Sequence, residues 1–137
     1  MSRARQAAEA RGRWAEWLAM AWLAAKGYRL LDRRARTPAG EIDLVACRGE
    51  YIAFIEVKLR PSVAEARDSV GPRQRQRIER AASLWLARHD ARFRRLFVRY
   101  DLFLVAPGRL PVSPAGRLPL IALAVCVWHA QGGQCFA

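Results

Sequence analysis

Cysteine is scarce in this sequence of 137 residues, and its pattern rules against two common kinds of small protein. The three cysteines are Cys47, Cys126 and Cys135, and none belongs to a C-x-x-C pair. An odd number at such spacings argues against a disulfide framework and a zinc ribbon, and it is typical of a protein of the reducing cytoplasm. Cys126 and His129 have the spacing of metal ligands, but two residues do not close a tetrahedral site.

Long apolar runs are also lacking. Residues 14–25 follow a basic start, as in a signal peptide, but Glu16 interrupts them, and they are more typical of a packed helix. Residues 118–128 are apolar but too few to span a bilayer. The sequence therefore predicts a soluble, cytoplasmic protein without a membrane-spanning segment.

Acidic residues are outnumbered two to one, by 24 basic residues to 12, so the formal net charge is +12. A chain with this charge attracts polyanions. We expect nucleic acid, and DNA in particular, to be its partner, in preference to an anionic membrane surface.

Lysine is rare among these basic residues, since only Lys26 and Lys58 are lysines. Lys58 lies within YIAFIEVKL (residues 51–59), which is otherwise typical of an interior strand. The compact ammonium of lysine is not reproduced by the planar guanidinium of arginine. A lysine inside an apolar strand of an arginine-rich chain therefore indicates a specific role.

Hydrophobic periodicity predicts one α/β domain, because the chain is long enough for a single core and too short for two. A first helix is predicted over residues 4–26, with a core-facing stripe of Trp14, Leu18, Ala21, Trp22 and Ala25. The further predicted elements are strands at 28–36 (an edge strand), 41–47 and 51–59, a loop at 60–70, a helix at about 73–89 and a strand at 96–105. We expect the domain to cover residues 1–110, followed by a divergent, proline-containing apolar tail at 111–137.

Acidic and basic residues interrupt the two central predicted strands. EIDLVA (41–46) carries Glu41 and Asp43, and FIEVKLR (54–60) carries Glu56 and Lys58. Burying a charge is costly unless it is paired or bound to a metal. A two-residue turn near Gly49 would place Asp43 on the same sheet face as Glu56 and Lys58, whereas a three-residue turn would place it on the other face.

Two carboxylates on one face predict a divalent cation between Asp43 and Glu56. Oxygen ligands favour Mg²⁺ or Mn²⁺ over zinc, and the backbone carbonyl of Val57 is a further candidate ligand. Lys58 would then orient a water molecule or stabilise charge on a phosphate. The pattern favours hydrolysis of a nucleic-acid phosphodiester. The structural alternatives are a local ion-pair network, or edge strands with one solvent-exposed face.

GEIDLVA (40–46) and FIEVKLR (54–60) together resemble the signature of the YraN-like family, a bacterial branch of the restriction-endonuclease-like PD-(D/E)xK superfamily. The resemblance runs from about Gly12 to Leu110 and includes RQRIERAASLWLA in the second helix and RYD in the last strand. It implies a single-domain α/β restriction-endonuclease-like fold, in which helices flank a central mixed β-sheet with an α-β-β-β-α-β core. It also implies a relationship to Holliday-junction resolvases.

The resemblance implies a role for each acidic residue. Asp43 and Glu56 correspond to metal ligands and Lys58 to the catalytic lysine, while Glu16 corresponds to the auxiliary acid of the first helix. Glu41 is a candidate further contributor. The implied function is that of a metal-dependent endonuclease that hydrolyses DNA, branched or single-stranded. The alternative is a catalytically inactive nucleic-acid-binding module on the same fold.

The sequence departs from the family pattern at two places. Arg34 stands where the family usually has an asparagine in the first strand, and we expect this change to leave the metal set untouched. The chain also diverges after Leu110, by a natural extension or by a frame change in the coding sequence. A protein-interaction subunit that docks through this tail is the weakest alternative function.

Arginines of the predicted loop and second helix are the candidate contacts to the DNA backbone. They are Arg60, Arg67, Arg73, Arg75 and Arg77. Since phosphate contacts carry no sequence information, we expect little base specificity. The alternative is an ordinary solvated helix face. Junction resolution would call for a homodimer, although no dimer interface is evident in the sequence.

Overall fold

The computed structural model describes residues 2–109 and 119–128 of the chain. Its elements, in chain order, are α1 (Arg3–Ala25), β1 (Arg29–Thr37), β2 (Gly40–Arg48), β3 (Tyr51–Leu59), α2 (Val63–Asp68), α3 (Pro72–Arg88), a 3₁₀ turn (Ala91–Arg95), β4 (Phe97–Arg109) and β5 (Pro119–Trp128). Within these ranges, no helix is both long enough and apolar enough to cross a membrane.

The strands form one mixed sheet in the order β1-β2-β3-β4-β5. β1, β2 and β3 form an antiparallel meander, β3 and β4 are parallel, and β5 is antiparallel to β4. Two parallel neighbours require a long crossover connection, and here it contains α2 and α3. The structure confirms the predicted fold class, a small α/β domain with a mixed sheet between helices.

The sheet buries a hydrophobic cluster on each face. α1 covers one face with small side chains, and α3 covers the other with larger ones. The α1 side contains Ala15, Ala19, Leu23, Leu44, Ala46, Ala53, Ile55, Phe103 and Val105. The α3 side includes Ile42, Val45, Ile52, Phe54, Ile78, Ala81, Ala82, Trp85, Leu102 and Leu104.

The predicted buried stripe of α1 is wrong in part, since Leu18 and Trp22 are partly buried against the hydrophobic cluster on the α1 side of the sheet. Trp14 is 46% exposed, and Ala21 and Ala25 are exposed as well. The buried positions are Ala15, Ala19 and Leu23, because two alanines allow the helix backbone to approach the sheet closely. The face that carries Glu16 is therefore the covered one.

The stripe of α3 is confirmed, whereas the predicted loop at 60–70 is wrong in part. This segment contains α2, and Ser62 caps it by accepting a hydrogen bond from the Glu65 N–H at 3.1 Å. Serine followed three residues later by glutamate is the sequence signature of a helix N-terminus. The polar composition of residues 60–70 had favoured a loop instead.

The turn between β2 and β3 contains two residues, which was one of the two predicted alternatives. Arg48 pairs with Tyr51, so Gly49 and Glu50 form the turn. Gly49 has a φ of 56°, a conformation that glycine adopts at little cost.

The segment predicted to be a tail contributes a strand to the sheet. β5 pairs with β4 from Tyr100 opposite Trp128 to Arg109 opposite Pro119. Residues 110–118 and 129–137, which hold Pro111, Pro114 and His129, lie outside the described part of the chain.

Candidate active site

Asp43 lies where the ladder between β2 and β3 ends. The last paired residues are Leu44 and Ile55, and Asp43 is the next residue outward. Ile42 packs on the α3 side of the sheet and Leu44 on the α1 side, although residues two apart in a regular strand share a face. The strand is thus irregular at Asp43, which frees its side chain to reach the neighbouring strand.

The side chain of Asp43 replaces a missing ladder partner. Its Oδ2 accepts a hydrogen bond from the Val57 N–H at 2.8 Å. Because the N–H and C=O groups of a strand residue point to the same side, the Val57 carbonyl also faces β2. A carboxylate and a backbone carbonyl therefore point toward the same place between the strands.

Glu56 lies one residue before Val57 and is only 6% exposed. Its Oε1 accepts a hydrogen bond from Gln74 Nε2 at 3.3 Å and lies 3.5 Å from Lys58 Nζ and 3.8 Å from Arg77 Nη2. Its Oε2 is buried and has no hydrogen-bond partner among the described residues. An unsatisfied buried carboxylate oxygen is energetically costly, so this atom marks a place where a ligand would be stabilised.

The Asp43 carboxyl is perturbed by this environment. Its pKa is raised from 3.8 to about 7, chiefly by burial and then by the charges of Glu56 and Glu16, while the Val57 hydrogen bond and the Lys58 charge act in the opposite direction. The site therefore holds two neighbouring carboxylates that resist simultaneous ionisation unless a cation lies between them.

The donor set suits a hard divalent cation better than zinc. Among the described residues, no group of three or more His, Cys, Asp and Glu side chains could hold a metal ion. Mg²⁺ usually binds proteins through one or two carboxylates and keeps several water molecules. Asp43, Glu56 and the Val57 carbonyl are such a set, and the bare Oε2 of Glu56 is consistent with a metal ligand.

Glu16 is held by Arg34. The Arg34 Nε donates to both carboxylate oxygens of Glu16, at 3.3 and 3.1 Å. In the register of β1 and β2, Arg33 is opposite Leu44 and Ala35 is opposite Ile42, so Arg34 faces Asp43. Arg34 therefore changes the local hydrogen bonding at Glu16, and the expectation that it leaves the metal set of Asp43, Glu56 and Val57 untouched stays a prediction.

Arg34 also has an unusual backbone. Its φ is 50°, and no other non-glycine residue of the described chain has a positive φ. Asparagine tolerates this left-handed conformation better than arginine. The asparagine expected at this position is thus explained by the backbone, and the guanidinium that replaces it brings a new contact.

Glu41 is placed apart from this cluster. Its side chain is about half exposed and lies 3.9 Å from the Nε of Arg36. Its backbone carbonyl, however, accepts a hydrogen bond from Arg77 Nη1 at 2.9 Å. A catalytic contribution from the Glu41 carboxylate stays a prediction.

The five arginines predicted to contact DNA are distributed over three segments. Arg73 is exposed and Arg75 half-buried on α3, and Arg60 follows β3 with its Nη1 donating to the Leu59 carbonyl at 2.8 Å. Arg67 belongs to α2, and its side chain is outside the described set. DNA contacts by these four stay a prediction.

Arg77, the fifth of these arginines, faces inward. Gln74 faces inward beside it, and the sequence had not predicted Gln74 as a site residue. The Arg77 Nε donates to Gln74 Oε1 at 3.2 Å, and both side chains contact Glu56. Gln74 extends the buried stripe of Ile78, Ala81 and Trp85 by one turn of α3. That spacing was the available signal, but arginines on every side made the start of the helix resemble a solvated surface.

Gly40 allows Arg77 to reach this position. Its φ is 132°, and a Cβ atom there would lie 2.5 Å from Arg77 Nη1. The backbone conformation therefore favours glycine at the start of β2, and a larger residue would also require the Arg77 side chain to shift.

Comparison with known proteins relates the chain to one family. A family model described as "Uncharacterised protein family UPF0102" matches residues 15–105. A UPF0102 protein of Maricaulis maris is 71% identical over 111 residues, which cover 81% of this chain and 87% of that protein. Another, from Mesorhizobium japonicum, is 50% identical over 81% of this chain and 88% of its own length. A third, from Caulobacter vibrioides, is 54% identical over 73% and 79%.

Proposed function

Since the chain belongs to the family UPF0102, we propose from the chemistry of its site that it is a metal-dependent endonuclease. The proposed reaction is hydrolysis of phosphodiester bonds in DNA that is branched or single-stranded. The support comes from the acidic cluster at the end of the β2–β3 ladder and from the basic character of the chain.

Glu56 is the observation that carries this proposal. One of its carboxylate oxygens is surrounded by Gln74, Lys58 and Arg77, whereas the other is buried and bare among the described residues. A glutamate retained only for an ion-pair network would be expected to use both oxygens. A bare oxygen on a carboxylate whose charge acts on Asp43 is better explained by a cation that both carboxylates bind.

Asp43, Glu56 and the Val57 carbonyl would hold Mg²⁺ or Mn²⁺ in this proposal. When bound, the cation supplies an activated water molecule and stabilises negative charge on the phosphate. The remaining contributions come from the protein itself.

Lys58 is the residue proposed to act on the substrate. Its ammonium lies 3.5 Å from Glu56 Oε1, and its side chain is only 19% exposed. Three rotatable N–H donors allow it to contact the carboxylate and also to orient a water molecule or a phosphate oxygen. Partial burial strengthens these interactions because the local dielectric is lower than that of water.

The other polar residues keep the carboxylates in place. The Val57 N–H orients Asp43, and Gln74 and Arg77 orient Glu56. Around the site, the net charge of +12 attracts the DNA backbone. Exposed arginines such as Arg73 are proposed to bind phosphates with little regard to base sequence.

A cleavage panel tests the proposal, and the two lysines offer a matched pair of variants. Labelled single-stranded, duplex, flap and four-way-junction DNA would be incubated with Mg²⁺, with Mn²⁺ and with EDTA. The expected result is metal-dependent cutting that is lost in Lys58→Ala and kept in Lys26→Ala, because Lys26 is exposed at the end of α1.

Binding of the same DNA by Lys58→Ala would be measured in parallel and should stay close to that of the unchanged protein. If every substrate is bound but none is cut, the catalytic proposal is wrong. The chain would then act as a nucleic-acid-binding module on the same fold.

A further inference from the structure

An exposed aromatic surface lies on α1 next to the proposed site. Trp14 is 46% exposed and Trp17 is 62% exposed. They are three residues apart, so their side chains project from the same face of the helix, about 4.5 Å apart along its axis. Contiguous exposed apolar surface of this kind is a feature of interaction sites.

The core does not account for these two residues. The side of α1 that packs on the sheet consists of Ala15, Ala19 and Leu23. Trp22, a third tryptophan of the helix, contacts Phe103 with ring centroids 5.6 Å apart. Packing of α1 on the sheet therefore does not require a tryptophan at residues 14 and 17.

A basic strand borders this surface. The Arg33 guanidinium lies 5.8 Å from the centroid of the Trp17 ring. Arg34 and Arg36, on the same strand β1, are partly and largely exposed. The flanking acid Glu16 is already paired with Arg34. Aromatic rings interleaved with basic side chains are the chemistry that binds single-stranded nucleic acid, because bases stack on the rings while arginines contact phosphates.

The position of the surface connects it with the proposed site. Glu16 lies between Trp14 and Trp17 in sequence, on the covered side of α1, and its charge acts on the carboxyl of Asp43. Arg34, which holds Glu16, is flanked on β1 by Arg33, which contacts Trp17. One turn of helix and one strand thus carry both the auxiliary acid and the aromatic pair.

We propose that Trp14, Trp17 and Arg33 form a stacking platform for unpaired DNA bases beside the cleavage site. The inference rests on the proposed nuclease function and narrows its substrate to DNA with a single-stranded segment. Positive charge favours this occupant over a second copy of the chain, because two copies would bring the same arginines together.

Binding experiments in EDTA test the platform independently of cleavage. Anisotropy would be measured with a fluorescent 20-nucleotide oligo(dT) and with a duplex of equal length, at one fixed salt concentration. Trp14→Ala/Trp17→Ala should bind oligo(dT) about tenfold or more weakly than the unchanged protein, since each stacked base contributes on that order. Duplex binding should change less than about twofold, because it depends on phosphate contacts.

Two further variants separate stacking from other effects. Trp17→Tyr keeps an aromatic ring and should retain most of the oligo(dT) affinity. Phe97→Ala removes a side chain that is also 62% exposed but lies at the start of β4, and it should change neither affinity. If the double variant is less stable, the same two binding measurements would be made with Trp17→Ala alone.

Several outcomes would overturn the platform. Equal losses of oligo(dT) and duplex binding would indicate a general electrostatic or folding effect. Unchanged oligo(dT) affinity, together with loss of self-association in sedimentation, would identify the surface as an interface between copies. The same unchanged affinity with loss of binding to vesicles of anionic lipid would identify a membrane-binding surface. If no DNA is cut but the tryptophan variant selectively loses affinity for oligo(dT), the platform is supported and only the catalytic proposal is wrong.

Discussion

Arg34 donates from one nitrogen to both carboxylate oxygens of Glu16, at 3.1 and 3.3 Å, while its own backbone has a φ of 50°. The contact joins α1 to β1 beside Asp43. A left-handed conformation costs a non-glycine residue roughly 1–2 kcal/mol. Arg34 thus combines an unfavourable backbone conformation with an ion pair to Glu16, next to the acidic cluster of Asp43 and Glu56.

Comparison of Arg34→Asn with Arg34→Ala isolates the backbone effect. Both variants lose the ion pair with Glu16, but only asparagine tolerates a positive φ. We expect Arg34→Asn to have a free energy of unfolding about 1 kcal/mol higher than that of Arg34→Ala. Urea unfolding at pH 7 measures this difference. Equal stability of the two variants would show that the backbone at this residue is unstrained.

Ionisation of Asp43 should make the metal-free protein less stable at high pH. The folded-state pKa of about 7 exceeds the ordinary value of 3.8. A carboxyl with a raised pKa stabilises the fold at low pH, and this contribution is lost as the pH rises through 7. Between pH 5.5 and 8.5 the free energy of unfolding should fall by about 2 kcal/mol. The reason is that 1.5 pH units of this range lie below the folded-state pKa, and each unit contributes about 1.4 kcal/mol.

Asp43→Asn provides the control, because it cannot ionise. In EDTA, the difference in unfolding free energy between the variant and the unchanged protein should grow from pH 5.5 to pH 8.5, in favour of the variant. Chemical unfolding at several pH values measures it. Parallel pH profiles for the two proteins would contradict a raised pKa for Asp43.

Gly40→Ala should be strongly destabilising. Its φ of 132° is unfavourable for any residue with a Cβ atom, and the new methyl group would collide with Arg77. Strain of this kind costs about 1–3 kcal/mol. Gly12→Ala is the matched control, since Gly12 is in α1 with open space around it. That variant should instead gain about 0.5–1 kcal/mol of stability from higher helix propensity.

Thermal and urea unfolding of both glycine variants would test this contrast. If Gly40→Ala were as stable as the unchanged protein, the backbone at residue 40 would have to relax and Arg77 would have to move, both without cost. The Arg77 contacts to Gln74 and Glu56 would then be less important for the site than their geometry implies.

Gln74→Ala should weaken metal binding without removing a proposed ligand. The Gln74 amide donates to Glu56 Oε1, and loss of a partner that orients a ligand typically lowers metal affinity 10- to 100-fold. Isothermal titration with Mn²⁺ should show this loss, and cleavage should recover at high Mg²⁺. Gln76→Ala, on the exposed side of α3, should change neither quantity. A lower maximal rate at saturating Mg²⁺ would instead indicate that Gln74 contacts the substrate.

The sequence was sufficient for most of the fold because the strands and α3 have clear periodicity and recognisable turns. β3, for instance, occupies the predicted residues 51–59. The orientation of α1 was mispredicted because hydrophobicity favours tryptophan over alanine in a core, whereas close packing against the sheet favours the smaller Ala15 and Ala19.

The acidic cluster could also be predicted in part from the sequence. Asp43, Glu56 and Lys58 were conspicuous as charges in apolar strands, and the structure brings them together. Their meeting depends on an irregularity of β2 rather than on a regular sheet face. The contact between Arg34 and Glu16 was beyond prediction, because it requires the register of β1 and a backbone conformation that arginine rarely adopts.

The arginines of β1 also affect how the molecule can assemble. β1 is an outer strand of the described sheet and carries Arg29, Arg33, Arg34 and Arg36. Two copies that extended their sheets through this strand would align guanidinium groups across the new ladder, where like charges repel. The edge is therefore protected against polymerisation by its charge, and a homodimer suited to a DNA junction would have to be built on a different surface.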